Sequence, residues 1–313
     1  EARVYGEFLG KRYADEPHIV WVLGGDTRAQ FRGYDRPQIF SDSDNRAVYR
    51  AMADGIAHGA TGQQPAWSRP DPAWDELIFT YHPNGDYPYG SAQWFHGDAW
   101  LDVNGVEVWK EVDDVYRAMV DDYQRDDPVK PSLFLEGSYE YGTYRHECGW
   151  VTPVRVRRQF YQTFFAGGAG HTYGAGPVWA MRGSEGDYNC GYTWQQALDF
   201  PGAAQVAGVG RKFLPDHNWQ EWEPNGEVIS GTGQGENLKT AVTTRSGDMA
   251  MVYFSNNSHT LVTNSLGKDA AVHWFYPRDG QIVQDRPFAQ NESRVMAPQA
   301  KWEDAILVLR IGD

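Results

Sequence analysis

Hydrophobic positions in the first 26 residues predict a helix followed by a strand. Apolar side chains four residues apart over positions 2–13 indicate the helix, and the uninterrupted apolar run 19–23 indicates a strand buried on both faces, as parallel strands are. Gly24 and Gly25 end this strand, because glycine allows a sharp backbone turn. Asp26 therefore lies at the carboxyl end of the strand, where parallel α/β barrels carry their chemistry.

The same succession of strand and helix continues to about residue 214. The predicted elements are a helix at 47–59, a strand at 77–83, a helix at 106–123, a strand at 132–135, a helix at 152–166 that is basic and amphipathic, a strand end at 171–174 and a helix at 201–214. Such alternation predicts parallel strands joined by right-handed crossovers. A complete barrel of eight such units needs about 250 residues. The four units found here therefore predict an α/β fold that is the C-terminal half of a (β/α)8 TIM-type barrel.

Four parallel strands cannot close a barrel, and their unpaired edges would expose apolar side chains. We therefore expect either a missing N-terminal segment or a second chain to complete the barrel.

The hydrophobic pattern changes after about residue 225. Short segments rich in strand-forming residues are separated there by Gly, Asn and Asp, at 238–244, 249–255, 271–276, 281–283 and 305–311. Regular short strands between turn residues favour a small antiparallel β-sandwich. The predicted domains are a partial barrel at 1–224 and a sandwich at 225–313.

Composition narrows the classes of partner. The 313 residues carry a formal net charge of -14, and their Lys and Arg residues are scattered along the chain. Nucleic acids and anionic membranes bind clusters of Lys and Arg, so both are disfavoured as partners. No apolar run is long enough to span a bilayer, and the chain opens at Glu1 without a signal peptide pattern, which suggests a mature product or a fragment. Aromatic residues make up 14% of the chain. Such rings stack well on sugars, although a large aromatic core would explain them equally.

The two cysteines leave two alternatives open. Cys148 and Cys190 are too few for a disulfide scaffold and have no metal-ligand spacing. They could be free thiols or could form one bridge, which requires their Cα atoms to lie about 4.4 to 6.8 Å apart. We predict no metal and no cofactor.

Five groups of short motifs resemble, in the same order, those of the apiosidase-like glycoside hydrolases. They are YG at 5–6 with LGKRY at 9–13, WVLGGD at 21–26, TYHP at 80–83, KP at 130–131 with EGSYE at 136–140, and GHTYG at 170–174 with Trp179. The stretch WFYPRDG at 274–280 is similar to the WFDPRTG of the small sandwich domain named for collagen binding. The resemblance implies a (β/α)8 barrel followed by a β-sandwich, without the barrel's first strands.

The resemblance also implies two catalytic carboxylates, Asp26 and Glu136. Leu135 and Gly137 stand where the family usually has Gly and Pro. Glycoside hydrolysis needs a proton donor and a second carboxylate, and we predict a retaining enzyme with Glu136 as nucleophile and Asp26 as acid/base. Asp26 could instead be a turn or capping residue, Glu136 could be an arginine partner, and Glu140 is a rival for its role.

Further polar and aromatic residues near the predicted strand ends are candidates for sugar binding. They are His82, Trp94, Tyr139, Glu140, His171, Tyr173 and Trp179. Trp94 and Trp100 could line outer subsites or could equally be packing residues. The resemblance implies a plant-type polysaccharide or oligosaccharide substrate, with apiose in pectic side chains as the family's known target, and a secreted or periplasmic protein. A non-catalytic carbohydrate- or matrix-binding protein and an inactive glycosidase fragment remain alternatives.

Overall fold

The computed structural model describes residues 1–31, 43–85, 89–109, 112–142, 148–181 and 190–312. The chain divides into two compact units, the first formed by residues 1–107 and 121–135 and the second by residues 108–120 and 136–313. None of the helices in the described ranges is long and apolar enough to cross a membrane.

Elements up to residue 137 alternate between helices and short strands. They are α1 Ala2–Arg12, β1 Val20–Gly24, β2 Gln30–Phe31, β3 Ser43–Asp44, α2 Arg46–Thr61, α3 Pro72–Asp75, β4 Ile78–His82, α4 Ala92–Phe95, β5 Asn104–Val108, α5 Val112–Tyr123 and β6 Ser132–Gly137.

Helices precede a predominantly antiparallel region in the rest of the chain. These elements are α6 Pro153–Phe165, β7 Gly170–His171, α7 Gly176–Ala180, α8 Trp194–Ala197, α9 Pro201–Ala204, α10 Arg211–Asp216, β8 Trp222–Pro224, β9 Ile229–Ser230, β10 Lys239–Thr244, β11 Met249–Phe254, β12 Thr260–Thr263, β13 Ala270–Tyr276, β14 Gln281–Phe288, β15 Ser293–Met296 and β16 Ala305–Ile311. A π-helical turn, Gln205–Gly210, joins α9 to α10.

Strands β1 and β4 of the first unit pair in parallel, with Gly24 opposite His82. The prediction that β1 is buried on both faces is wrong, because Val20 and Val22 are each 48% exposed and only Leu23 is buried. The two valines share one face of the strand, and the pleat turns Leu23 to the opposite face. Leu23 packs there with the aromatic core of this unit, which also contains Phe79, Tyr81, Trp94, Phe95 and Trp100.

Helices α1 and α2 confirm the predicted helices at 2–13 and 47–59. Their axes approach closely through four glycines, because a Cβ at Gly6, Gly10, Gly55 or Gly59 would clash with a backbone oxygen of the facing helix. The close approach lets the two helices pack backbone to backbone.

The predicted helix at 106–123 is wrong at its amino-terminal end. Residues 104–108 form the strand β5, in which all five positions are buried, and the helix α5 is described over Val112–Tyr123. Gly105 disfavours a helix and permits close strand contact, since a Cβ there would clash with the carbonyl oxygen of Tyr81. The structure therefore contains a strand that the hydrophobic pattern merged with the following helix. That the parallel strands form half of a barrel remains a prediction.

The C-terminal strands of the second unit confirm the predicted antiparallel region. One sheet has six strands in the order β14-β13-β16-β11-β10-β8, and the other has three in the order β15-β12-β9. Side chains of both sheets share one core, with Val252, Trp274 and Leu307 from the larger and Val262 and Met296 from the smaller. The arrangement is that of a β-sandwich.

Helix α6 packs on the other side of the larger sheet. Phe160, Tyr161 and Phe165 share a hydrophobic cluster with Met251 and Tyr253. The predicted helix at 152–166 is confirmed, but every position from residue 155 to residue 165 is buried, so its basic side chains do not form the exposed face expected of an amphipathic helix. Arg157 contacts the buried carboxylate of Asp304, and Arg158 donates to the Ser255 carbonyl oxygen. The boundary between residues 224 and 225 remains a prediction.

Candidate active site

The loop that follows β1 places Asp26 on the exposed surface of the first unit. Gly24, Gly25 and Asp26 all have positive φ angles, of 85°, 126° and 49°. A Cβ at Gly24 would lie 2.5 Å from the carbonyl oxygen of His82, so only glycine fits this close contact between the strand ends. The sharp turn thus brings the Asp26 backbone beside the end of β4.

His82 ends β4 and contacts this turn. The Asp26 backbone N–H donates to His82 Nδ1 at 3.1 Å. The same nitrogen lies 3.0 Å from the Pro83 carbonyl oxygen and 3.4 Å from Oε2 of Glu107. Glu107, on β5, is fully buried. Glu107 therefore places a buried carboxylate beside the ring of His82.

Sequence reasoning missed Glu107 because the residue was assigned to a helix. The signal that could have found it is Gly105 followed by Val-Glu-Val, since a glycine near β-branched residues is more typical of a strand. Recognising the strand would have placed a carboxylate close to the end of β4.

Glu136 lies near the end of β6 in the second unit. The Tyr139 hydroxyl donates to Glu136 Oε1 at 2.5 Å. The turn between them is fixed at Ser138, whose backbone N–H donates to Gln159 Oε1 at 3.1 Å and whose hydroxyl donates to the Trp109 carbonyl oxygen at 2.9 Å. A hydrogen bond donated to a carboxylate favours its ionised form.

An exposed aromatic surface lies beside this pair. The rings of Tyr139 and Trp179 are 6.0 Å apart between centroids and tilted by 31°, and Trp179 on α7 is 59% exposed. Tyr139 lies against Gly174, where a Cβ would clash with its ring. The second unit therefore brings together a hydrogen-bonded carboxylate and a large exposed indole, a surface suited to a sugar ring.

Glu140 points to the interior instead. It is fully buried, and its carboxylate accepts from the Tyr173 hydroxyl at 2.5 Å and from the Gly202 backbone N–H, in the first turn of α9, at 3.0 Å. Burial raises the pKa of Glu140, and these hydrogen bonds oppose that rise. Glu140 therefore connects the end of β6 to α9 and to Tyr173 through hydrogen bonds, which is a structural role. Neither Glu140 nor Tyr173 is as exposed as Trp179.

Three other candidates lie against aromatic side chains, two of them buried and His171 half-buried. Trp94 and Trp100 are buried in the aromatic core of the first unit, so the packing alternative describes them and the outer-subsite alternative does not. The ring of His171 packs edge-on against Phe160 at 5.4 Å, and its Nδ1 lies 3.2 Å from the Thr163 hydroxyl. Burial lowers the pKa of His171 to about 3, so its ring is neutral at ordinary pH.

A disulfide joins Cys148 and Cys190 in the second unit. Their Cα atoms are 5.2 Å apart, within the range that a bridge requires. The bridged alternative is therefore confirmed.

Comparison with known protein families finds a similarity for each of two parts of the chain. Residues 1–221 match the profile of the family described as "Apiosidase-like, catalytic domain", and residues 224–310 match "Putative collagen-binding domain of a collagenase". No curated protein sequence matches the chain.

Solved structures of glycoside hydrolases share its fold. A structure named "Glycoside hydrolase" superposes with a TM-score of 0.79 at 24% identity, covering 99% of this chain and 68% of its own. A glycoside hydrolase family 5 protein from Bacteroides vulgatus ATCC 8482 gives the same TM-score and identity, covering 99% of this chain and 66% of its own. Another Bacteroides vulgatus structure, titled a putative glycoside hydrolase, gives a TM-score of 0.58 at 11% identity, covering 99% and 55%. The chain thus spans about two thirds or less of these proteins. The motif resemblance is confirmed, and the chain belongs to the apiosidase-like family of catalytic domains.

Proposed function

We propose that the protein is a glycoside hydrolase that cleaves a glycosidic bond in a plant-type polysaccharide or oligosaccharide. Family membership and the glycoside hydrolase fold support the reaction class. The observation that carries the proposal is the hydrogen bond from Tyr139 to Glu136 beside the exposed ring of Trp179. It combines a hydrogen-bonded carboxylate, one of the two that glycoside hydrolysis needs, with an aromatic surface on which a sugar ring can stack.

The proposed mechanism is a double displacement that retains the anomeric configuration. An oxygen of Glu136 attacks the anomeric carbon while the bond from that carbon to the leaving oxygen breaks, and Asp26 gives its proton to that oxygen. Water then attacks the same carbon, its proton passes to Asp26, and Glu136 leaves as a carboxylate. Glu136 suits the nucleophile because the Tyr139 hydroxyl stabilises its charged form. Carboxyl groups that work in this way lie about 5 to 5.5 Å apart.

A panel of plant-wall oligosaccharides, tested on the natural polypeptide that contains this chain, would identify the substrate. E136Q is expected to abolish turnover of every substrate. D26A is expected to lower turnover by about 10²–10⁴-fold where the leaving group needs a proton, and to spare aryl glycosides with acidic leaving groups. Matched control variants are E223Q and D15A, which change exposed carboxylates.

The outcome for each variant separates the alternatives. Activity retained by E136Q contradicts Glu136 as the nucleophile. If D26A abolishes turnover of every substrate and E136Q spares aryl glycosides with acidic leaving groups, Asp26 is the nucleophile and Glu136 the acid/base. NMR of the first-formed product tests retention, since an inverted anomer requires the wider spacing of about 6.5 to 9.5 Å between the carboxylates. A wild-type protein that binds oligosaccharides without cleaving them is instead a binding protein.

We also propose that the protein works in a secreted or periplasmic location. The Cys148–Cys190 bridge supports this location, because disulfides form and persist in oxidising compartments. Fractionation of the source cells tests it, and recovery from the cytoplasm with both thiols free would contradict it.

A further inference from the structure

Two consecutive residues of β4 form hydrogen bonds with three consecutive residues of the loop that follows β1. The backbone N–H of Gly25 donates to the His82 carbonyl oxygen at 3.2 Å, and the backbone N–H of Asp26 donates to His82 Nδ1 at 3.1 Å. The Tyr81 hydroxyl donates to the Thr27 carbonyl oxygen at 2.9 Å. These contacts lie within the first unit, where β1 and β4 pair in parallel up to their ends.

The backbone at Asp26 needs such support. Asp26 has φ 49°, in the left-handed region, and it follows two glycines that also have positive φ angles. Residues with a Cβ generally pay about 1–2 kcal/mol in that region; aspartate tolerates it better than most, and contacts from the surroundings stabilise the conformation further. The contact with His82 Nδ1 is the side-chain contact that acts on Asp26's own backbone N–H.

The contact with Asp26 requires one particular proton position on the ring of His82. A ring nitrogen accepts a hydrogen bond only when it carries no proton, so the neutral ring must hold its proton on Nε2. A proton on Nδ1 would instead be donated to the Pro83 carbonyl oxygen at 3.0 Å or to Glu107 at 3.4 Å, and Asp26 would lose its acceptor. Holding Asp26 and donating from Nδ1 are therefore mutually exclusive.

We propose that His82 is a positioning residue for Asp26, acting through Nδ1. This inference rests on the proposed function, in which Asp26 donates the proton to the leaving oxygen. A proton donor displaced by about 1 Å can lose about 10²-fold in rate. The loss falls on substrates that need a proton, because those with acidic leaving groups depart without one.

Replacing His82 by asparagine or by glutamine tests the roles of the two ring nitrogens separately. The amide of H82N can offer an acceptor near the position of Nδ1, whereas that of H82Q reaches the position of Nε2. We expect H82Q to lower kcat about 10–100-fold on substrates with poor leaving groups, with little change in KM, and to leave activated aryl glycosides within about 3-fold of wild type. H82N is expected to keep most of the wild-type kcat on the same substrates. Thermal unfolding of both variants establishes that they are folded.

Several results would overturn the inference. If H82N is as defective as H82Q, the Nδ1 contact is not responsible, and if activated substrates lose rate equally, His82 acts on the sugar or on the fold. NMR of the wild-type ring nitrogens gives a test that needs no variant, and a protonated Nδ1 at neutral pH contradicts the contact. The proposed function fails separately, since D26A without leaving-group dependence removes Asp26 as the acid whatever the His82 variants show.

Discussion

A buried ion pair in the second unit allows a quantitative prediction. Asp304, which precedes β16, accepts from Arg157 of α6 through two bonds, from Nη2 to Oδ1 at 2.7 Å and from Nε to Oδ2 at 3.2 Å. The Tyr253 hydroxyl also donates to Asp304 Oδ2 at 3.0 Å. The two charged side chains are 1% and 0% exposed, so each depends on the other for its charge compensation. The perturbation is D304N, which keeps the size of the side chain and removes its charge.

The expected cost follows from the burial of the arginine. Burial alone would lower the pKa of Arg157, but the charge of Asp304 more than offsets this and raises it, so Arg157 stays protonated. Breaking a buried pair by removing one partner costs about 3–5 kcal/mol, because it leaves an uncompensated charge. Glu303 also contacts Arg157, but its side chain is 48% exposed and compensates little. The asparagine keeps an acceptor oxygen, so we expect about 3 kcal/mol, the lower end of that range.

Urea unfolding followed by tryptophan fluorescence measures the free energy of unfolding of each variant. The control D199N, at an exposed position, is expected to change it by less than about 0.5 kcal/mol. R157M is expected to destabilise the protein as strongly as D304N, while the double variant R157M/D304N should be less destabilised than the sum of the two. A cost for D304N below about 1 kcal/mol, or strict additivity in the cycle, would refute the reasoning.

Three further predictions concern the bridge, acid stability and the proposed nucleophile. Replacing Cys148 and Cys190 by Ser should cost about 4 kcal/mol for a closed loop of this length, and thermal unfolding with and without reductant checks it; an unchanged melting temperature speaks against a stabilising bridge. Burial lowers the pKa of His273 to about 4, below the unfolded value near 6.5. The unfolded chain therefore binds the proton first, stability falls as pH drops from about 6.5 to 4, and H273Q should flatten that part of a pH series of unfolding free energies; an equally steep decline would contradict the assignment. Y139F removes the hydrogen bond to Glu136 and should lower kcat/KM about 10–100-fold with an unchanged circular dichroism spectrum, whereas full activity would remove Tyr139 from the site.

The sequence by itself determined the elements whose signals are local. Apolar spacing located α1 and α2, and alternation with turn residues located the strands of the C-terminal sandwich. Gly24 and Gly25 marked a turn because their lack of a Cβ permits conformations that are costly for other residues. The motifs and their order indicated the apiosidase-like family, and the profile match confirms that membership.

Only the tertiary structure decided which side chains are buried and which distant residues they contact. Gly105 before Val-Glu-Val favours a strand, but the apolar spacing there fits the start of a helix equally well. The close contact of Gly105 with Tyr81 of β4 decided that β5 is a strand and that Glu107 is buried. Hydrophobicity could not distinguish the buried Trp94 from the exposed Trp179, since both depend on which distant side chains cover the ring. No local pattern could pair Arg157 with Asp304, because the two residues lie 147 positions apart and only the fold brings them together. Local periodicity records which face of an element is apolar, whereas contacts between distant residues decide what that face and its charges meet.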